Sequence, residues 1–127
     1  MSAGAALQRA LAERLTALGL FDGVYDGAPA RAAYPYVALD AGAEADWSHK
    51  SGDGREVSVA TTLWDDQPSR LHALADAIEQ SVTGAQAVDG WQLVTVRLLR
   101  RRIVRDVAGP WAAAIDFRAR LLKDGSE

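Results

Sequence analysis

A chain of 127 residues with 49% hydrophobic and 24% charged residues has the profile of an ordinary globular domain, and is read as a single unit, 1–127. It holds no cysteine, which excludes disulfides, thiolate catalysis and Cys-based zinc sites. A net charge of −3 offers no whole-domain basic footprint for nucleic acid, and no apolar run approaches the ~18 residues of a membrane span.

Met1–Ala6 lacks the basic region of a signal peptide, and Glu13 and Arg14 interrupt the only early apolar run, so no leader is expected. Residues 3–18 are predicted to form an amphipathic helix. Leu7, Leu11, Leu15 and Leu18 fall on one face, and Gly19 suits its stop. Val24-Tyr25 reads as a short strand, closed by Asp26-Gly27 and Pro29. Pro35 suits the start of a strand, in which Val37 and Leu39 face one way, Tyr36 and Asp40 the other.

Residues 55–65 alternate most cleanly. Val57, Val59, Thr61 and Leu63 share one face; Glu56, Ser58, Thr62 and Trp64 share the other. With residues 35–47 this strand makes a hairpin, connected by the polar stretch Ser48–Gly54. Asp65-Asp66-Gln67-Pro68 opens a second helix, with Leu71, Leu74, Ala75, Ile78 and Val82 as its apolar stripe and Gly84 at its end. Thr83–Gly90 reads as a connection only. A long strand is predicted over 91–106 and a turn over Asp106–Pro110. A last strand follows, with Trp111, Ala113, Ile115, Phe117, Ala119 and Leu121 on one face, and then the polar tail Lys123–Glu127.

The order α-β-β-β-α-β-β does not alternate as a βαβ wind would. It predicts the α+β class: a mostly antiparallel sheet with two helices packed on one face. Val57, Val59, Leu63, Ile115 and Phe117 are expected to be buried against Leu11, Leu15, Leu74 and Ile78. One or two of the four tryptophans are expected in the core, and Trp64 is expected over a second, smaller cluster or against a partner.

Chemistry-bearing motifs are sparse. The two histidines, His49 and His72, are the only side chains that titrate near neutrality without help. His72 reads as a helix-boundary residue. Asp46, Asp53 and Glu56 do not match a calcium-loop spacing, and phosphate-binding glycine loops are absent. Asp65-Asp66 reads as a complement to a helix dipole rather than a metal pair. No catalytic residue, cofactor or metal is expected. Arg97, Arg100, Arg101, Arg102 and Arg105 are the strongest charge cluster. Three consecutive arginines cannot share one face of a strand, so the strand is expected to reach an edge or leave the sheet. The cluster fits a guarded edge, a protein interface or a nucleic-acid contact.

GVYDGAP at 23–29, YPYV at 34–37, DWSHK at 46–50, GREVSV at 54–59, LW at 63–64 and WAAAIDFRARL at 111–121, in this order and spacing, are similar to the tail-terminator (tail-completion, head–tail joining) proteins of long-tailed phages and gene transfer agents. The resemblance covers nearly the whole chain. It implies an α+β fold and a homo-oligomeric ring, usually of six copies, in the tail of a virion or phage-like particle assembled in the bacterial cytoplasm. Such a ring caps the tail tube protein and then meets the head connector or stopper protein, while DNA passes through without specific binding. It implies no enzyme activity and no membrane. On this resemblance Trp47 anchors a contact and Lys50 pairs with a carboxylate next door. His49, Asp53, Arg55, Arg100, Arg101 and Arg102 are the further candidate interface residues. Two alternatives are a small ligand-binding or enzymatic α+β domain, with His49 or Asp65 in a pocket, and a nucleic-acid-binding adaptor using the arginines of 97–105.

Overall fold

The computed structural model describes residues 1–105 and 109–125, and Ala87 through its backbone alone. The elements in chain order are α1 (Ala3–Ala17), β1 (Gly23–Asp26), β2 (Tyr36–Asp46), β3 (Gly54–Asp65), α2 (Pro68–Thr83), β4 (Ala87–Val88), β5 (Trp91–Arg105) and β6 (Trp111–Lys123). One sheet holds all the strands in the order β1-β2-β3-β6-β5-β4. β1 runs parallel to β2, and every other pairing is antiparallel. The expected α+β arrangement is therefore present, with one addition. The connection after α2 contains β4, two residues long, which pairs Ala87 and Val88 with Gln92 and Trp91. The turn expected at 106–110 and the polar tail fall partly outside the described residues.

β3 and β6 form the centre. They pair without a register shift from Gly54↔Leu122 to Asp65↔Trp111. Opposed residues in a ladder share a face, so Val57, Val59 and Leu63 join Ala119, Phe117 and Ala113 beneath the helices. Leu7, Leu11 and Leu15 of α1 and Leu71, Leu74 and Ile78 of α2 close the same cluster from above. Fully burying a side chain of this size is worth about 1.5–3 kcal/mol. The expected core is borne out residue for residue. Leu18 is not part of it: α1 stops at Ala17, and Leu18 lies 38% exposed at the C-cap. The tryptophan expectation holds in part. None of the four is fully buried: Trp91 and Trp111 are half-buried and pack against the core, whereas Trp47 lies just past the end of β2 and Trp64 on the face without helices.

Each helix start is stapled by a polar group. Ser2 caps α1 by accepting from the Ala5 N–H at 3.1 Å. The Gly4 N–H donates to Glu44 on β2 at 2.8 Å, which sets a carboxylate at the positive end of the helix. Gly4 is needed there, since a Cβ would stand 2.7 Å from the Ala41 carbonyl oxygen. α2 is held by Asp65. Its carboxylate is fully buried, accepts from the backbone N–H groups of Asp66 and Gln67, and takes both Nε and an Nη of Arg70 at 2.7 and 2.5 Å. Burial by itself would raise this carboxyl. The Arg70 hydrogen bonds and charge, with the backbone donors, outweigh it and hold the group below its ordinary 3.8.

Two outcomes are expected. Phe117→Ala should cost about 3–5 kcal/mol in a denaturant titration, because it deletes the largest side chain of the closed cluster; a loss under about 1 kcal/mol would contradict its burial. Asp65→Asn should cost roughly 1–3 kcal/mol at neutral pH. The folded carboxyl titrates below the unfolded one, so Asp65 stabilises above the unfolded pKa, and the gain is lost as pH falls through the folded value. The gap between wild type and Asp65→Asn should therefore close in acid, and a gap that persists there would refute the ionic account.

Candidate assembly interface

The polar stretch between β2 and β3 continues the hairpin past the end of the sheet. The Trp47 N–H donates to the Gly54 carbonyl at 2.9 Å, and His49 and Gly52 exchange bonds at 2.8 and 3.3 Å. Lys50 and Ser51 form the tip of the resulting tight turn. Ser48 adds two bonds, donating to Asp46 at 2.6 Å and accepting from the Gly54 N–H at 3.1 Å. Gly54 is required by packing rather than by flexibility, because a Cβ would collide with the Trp47 carbonyl. The base of the tip is fastened to the last strand, since the Lys123 N–H donates to the Asp53 carbonyl at 2.8 Å.

Five of the expected interface residues gather in this hairpin, with different surroundings. Trp47 is half-buried, with the Arg120 guanidinium 5.4 Å from its ring centre and the His49 imidazole edge-on at 4.5 Å. Arg120 is itself bound to Glu56 at 3.0 Å. Trp47 thus braces the tip against the sheet. His49 and Lys50 are exposed at the projecting end, and Asp53 is exposed at its base. Arg55 lies between Glu44 and Asp46, at 3.7 and 3.4 Å, and so is already engaged within the chain.

The arginine run divides. β5 carries two bulges, between Leu93 and Thr95 and between Leu98 and Arg100. The second reverses the alternation, so Arg100 and Arg102 stand opposite Asp116 and Ala114 on the face away from the helices, while Arg101 stands opposite Ile115 on the helix side. There Arg101 donates to Asp76 and Glu79 of α2, both at 2.6 Å, and to the His72 carbonyl at 3.2 Å. The Asp76 hydrogen bond, with Glu79, raises its pKa against the effect of burial. Arg101 therefore fastens α2 to β5, and His72 is an exposed neighbour of that bond. Arg105 lies 5.1 Å over the Trp111 ring. Arg97, Arg100 and Arg102 form no hydrogen bond or ion pair among the described residues. Beyond Gln92 the outer side of β5 has no strand beside it among the described residues, so the strand does reach an edge.

One surface was only half legible. Tyr36 stacks on Trp64, its direct cross-strand partner, at 6.3 Å. Tyr34 stacks on Tyr36 at 5.9 Å and Tyr25 meets it edge-on at 6.0 Å. This is the second cluster that Trp64's place on the polar face foretold. Burial, with the neighbouring phenols Tyr34 and Tyr25, pushes the Tyr36 hydroxyl up. The two YPY tyrosines and the 36↔64 register were the signals for it. The two histidines are not brought together: His49 is at the hairpin tip and His72 is on α2. Asp65 is committed to the start of α2.

The tail completion protein gp17 family model matches residues 5–122. Among solved structures, a chain described as "Virion of native gene transfer agent (GTA) particle" aligns with a TM-score of 0.78 and 28% identity, over 96% of this chain and 99% of that one. "Structure of bacteriophage SPP1 gp17 protein" aligns with a TM-score of 0.64 and 18% identity, over 98% of this chain and 94% of that one, a likeness of fold. A comparison with curated proteins finds no match. The resemblance read from the short motifs is thus confirmed across the domain: the chain belongs to the tail completion protein gp17 family, and is a structural component of a phage-type tail rather than an enzyme.

Proposed function

We propose that the protein forms a homo-oligomeric ring, six copies by resemblance to its family, that caps the finished tail tube, stops its growth and then meets the head connector, with DNA passing through the ring. The observation that carries this is the alignment of 96% of the chain with a component of a gene transfer agent virion. The geometry supports it in two ways. A protein that ends a tube must hold one partner while refusing another copy of the tube subunit, so its contacts need placed polar groups around a firm anchor. The β2–β3 tip supplies both, since its turn is closed by backbone bonds and Trp47 braces it. Because backbone bonds already close the turn, less entropy is lost on docking. The chain's net charge of −3 suits a conduit through which DNA slides, because a strongly basic lining would retain phosphate.

The direct test is removal of the chain from the producing cell, followed by electron microscopy. Tails of uncontrolled length, unjoined to filled heads, are expected; tails of normal length joined to heads would sink the proposal. At the tip, Lys50→Glu touches only an exposed side chain and should shift stability by no more than about 0.5 kcal/mol. It should still lower the yield of finished particles about tenfold, equivalent to ~1.4 kcal/mol of lost contact. A normal melt with normal yield would remove the tip from the interface.

A further inference from the structure

The ionic pairs within the chain leave a remainder, and most of its arginines lie on two neighbouring strands, while Arg14 of α1 donates to the Ser81 carbonyl and Arg31 precedes β2. Arg9, Arg55, Arg70, Arg101 and Arg120 each have an acidic partner. Arg97, Arg100, Arg102 and Arg118 have none among the described residues, and all four belong to β5 and its neighbour β6. Arg97 and Arg118 stand directly opposite each other, an arrangement that costs stability unless a third charge answers it. Among the described residues, Asp116 is the one acid placed among them, opposite Arg100. At the other end of the sheet order, Asp22, Asp26 and Asp40 are exposed on and beside β1 and β2 and make no ion pair among the described residues, though Asp26 accepts from Gln8 and Asp40 from the Gly42 N–H. Arg31 is the one basic residue of segment 19–46.

The basic edge also has the other marks of a contact surface. Among the described residues, no strand pairs with its outer side from Leu93 to Arg105. Val94, Leu98, Leu99 and Val104 are 41%, 41%, 54% and 45% exposed along it. A long edge strand with exposed aliphatic residues is a template for another chain, and here two bulges bend it without closing it. Arginine interleaved with aliphatic side chains matches protein interfaces, whereas base stacking would call for aromatic residues. The second edge is guarded differently. Gln8 of α1 accepts from the Ala41 N–H at 2.8 Å and donates to the Leu39 carbonyl at 2.9 Å, which ties β2 to α1 where β1 ends. That side carries negative charge to offer.

Resting on the ring reading above, we infer that successive copies of this chain join head to tail, the arginine-bearing β5 edge of one against the aspartate-bearing β1–β2 side of the next. The basic edge cannot dock on its own image, because like charges would face each other across a two-fold axis. Contact between two different surfaces is heterologous, and it generates a ring when the rotation closes. Between exposed charges the contact weakens with salt.

The test is a charge swap. R97E/R100E/R102E reverses one side and D22K/D26K the other. None of these residues lies in the buried core, and circular dichroism checks that each variant folds. Sedimentation velocity at low salt is expected to show wild-type oligomers, monomers for each variant alone, and oligomers again in the equimolar mixture, where reversed edges meet each other. Where wild-type rings form only on tails, the same pattern is read as finished-particle yield: lost with either variant, restored by co-expression. Rings or yields that survive both variants, or are not restored by mixing, overturn the edge contact and leave the ring reading standing. Loss of duplex-DNA binding by R97E/R100E/R102E with assembly unchanged overturns it in favour of nucleic acid. Wild type that is monomeric both in solution and on particles sinks the ring reading and this inference together.

Discussion

The unbroken pairing of β3 with β6 is the constraint on which the other features rest. A register slip of one residue would carry Val57, Val59, Leu63, Ile115 and Phe117 from the helix side to the open side, leaving both helices without a core. The same ladder places Ser58, Glu56, Arg118 and Arg120 on the uncovered face. Glu56 and Arg120 are opposed in register, and their ion pair then positions the guanidinium over Trp47. One choice of register thus sets the core, the open face and the brace of the hairpin tip.

β5 shows what happens when that regularity is interrupted. Without the bulge between Leu98 and Arg100, the alternation that puts Arg97 on the open face would send Arg100 and Arg102 towards the helices and Arg101 away from them. Two arginines would then need partners beneath α2, where Asp76 and Glu79 suffice for one. The bulge inverts the assignment. One arginine is paired inside and two are released to the surface. A bulge is a local event in the backbone ladder, and composition does not announce it.

That difference explains what the sequence discloses and what it hides. The α+β class, both helices, the β2–β3 hairpin and the core were legible because residues 55–65 and 111–121 alternate strictly and both helices carry leucine at helical spacing. The run of three arginines was legible as a break in regular pairing, but its division was not. β4 is too short to impose a pattern, and the parallel pairing of β1 with β2 depends on a connection whose path is not written in a period. At the interface, the tip was recognisable by its polarity. Its closed turn was not, because the bonds that close it are between backbone groups, which every residue but proline can make. Trp47 looked like an anchor awaiting a partner. The cation over its ring, Arg120, lies far along the chain and is brought close only by the sheet.

The placement of both helices on one face has a further consequence. The second face is left open, and its middle is built of small residues: Ala38, Ala60 and Thr62 beside Ala114. Such a surface presents little apolar area per residue, so burial there cannot by itself select a partner. Discrimination then falls to the groups at its margins, where the chain has concentrated them. The aromatic cluster of Tyr25, Tyr34, Tyr36 and Trp64 stands at one margin, Arg97, Arg100 and Arg102 along another, and the Trp47–Arg120 brace with its projecting turn at the far end. Aromatic and arginine side chains are those that dominate interface energetics when desolvated. A structural tail component of this size can therefore keep a bland sheet face and still be selective, because its specificity lies at the edges that a neighbouring molecule meets first.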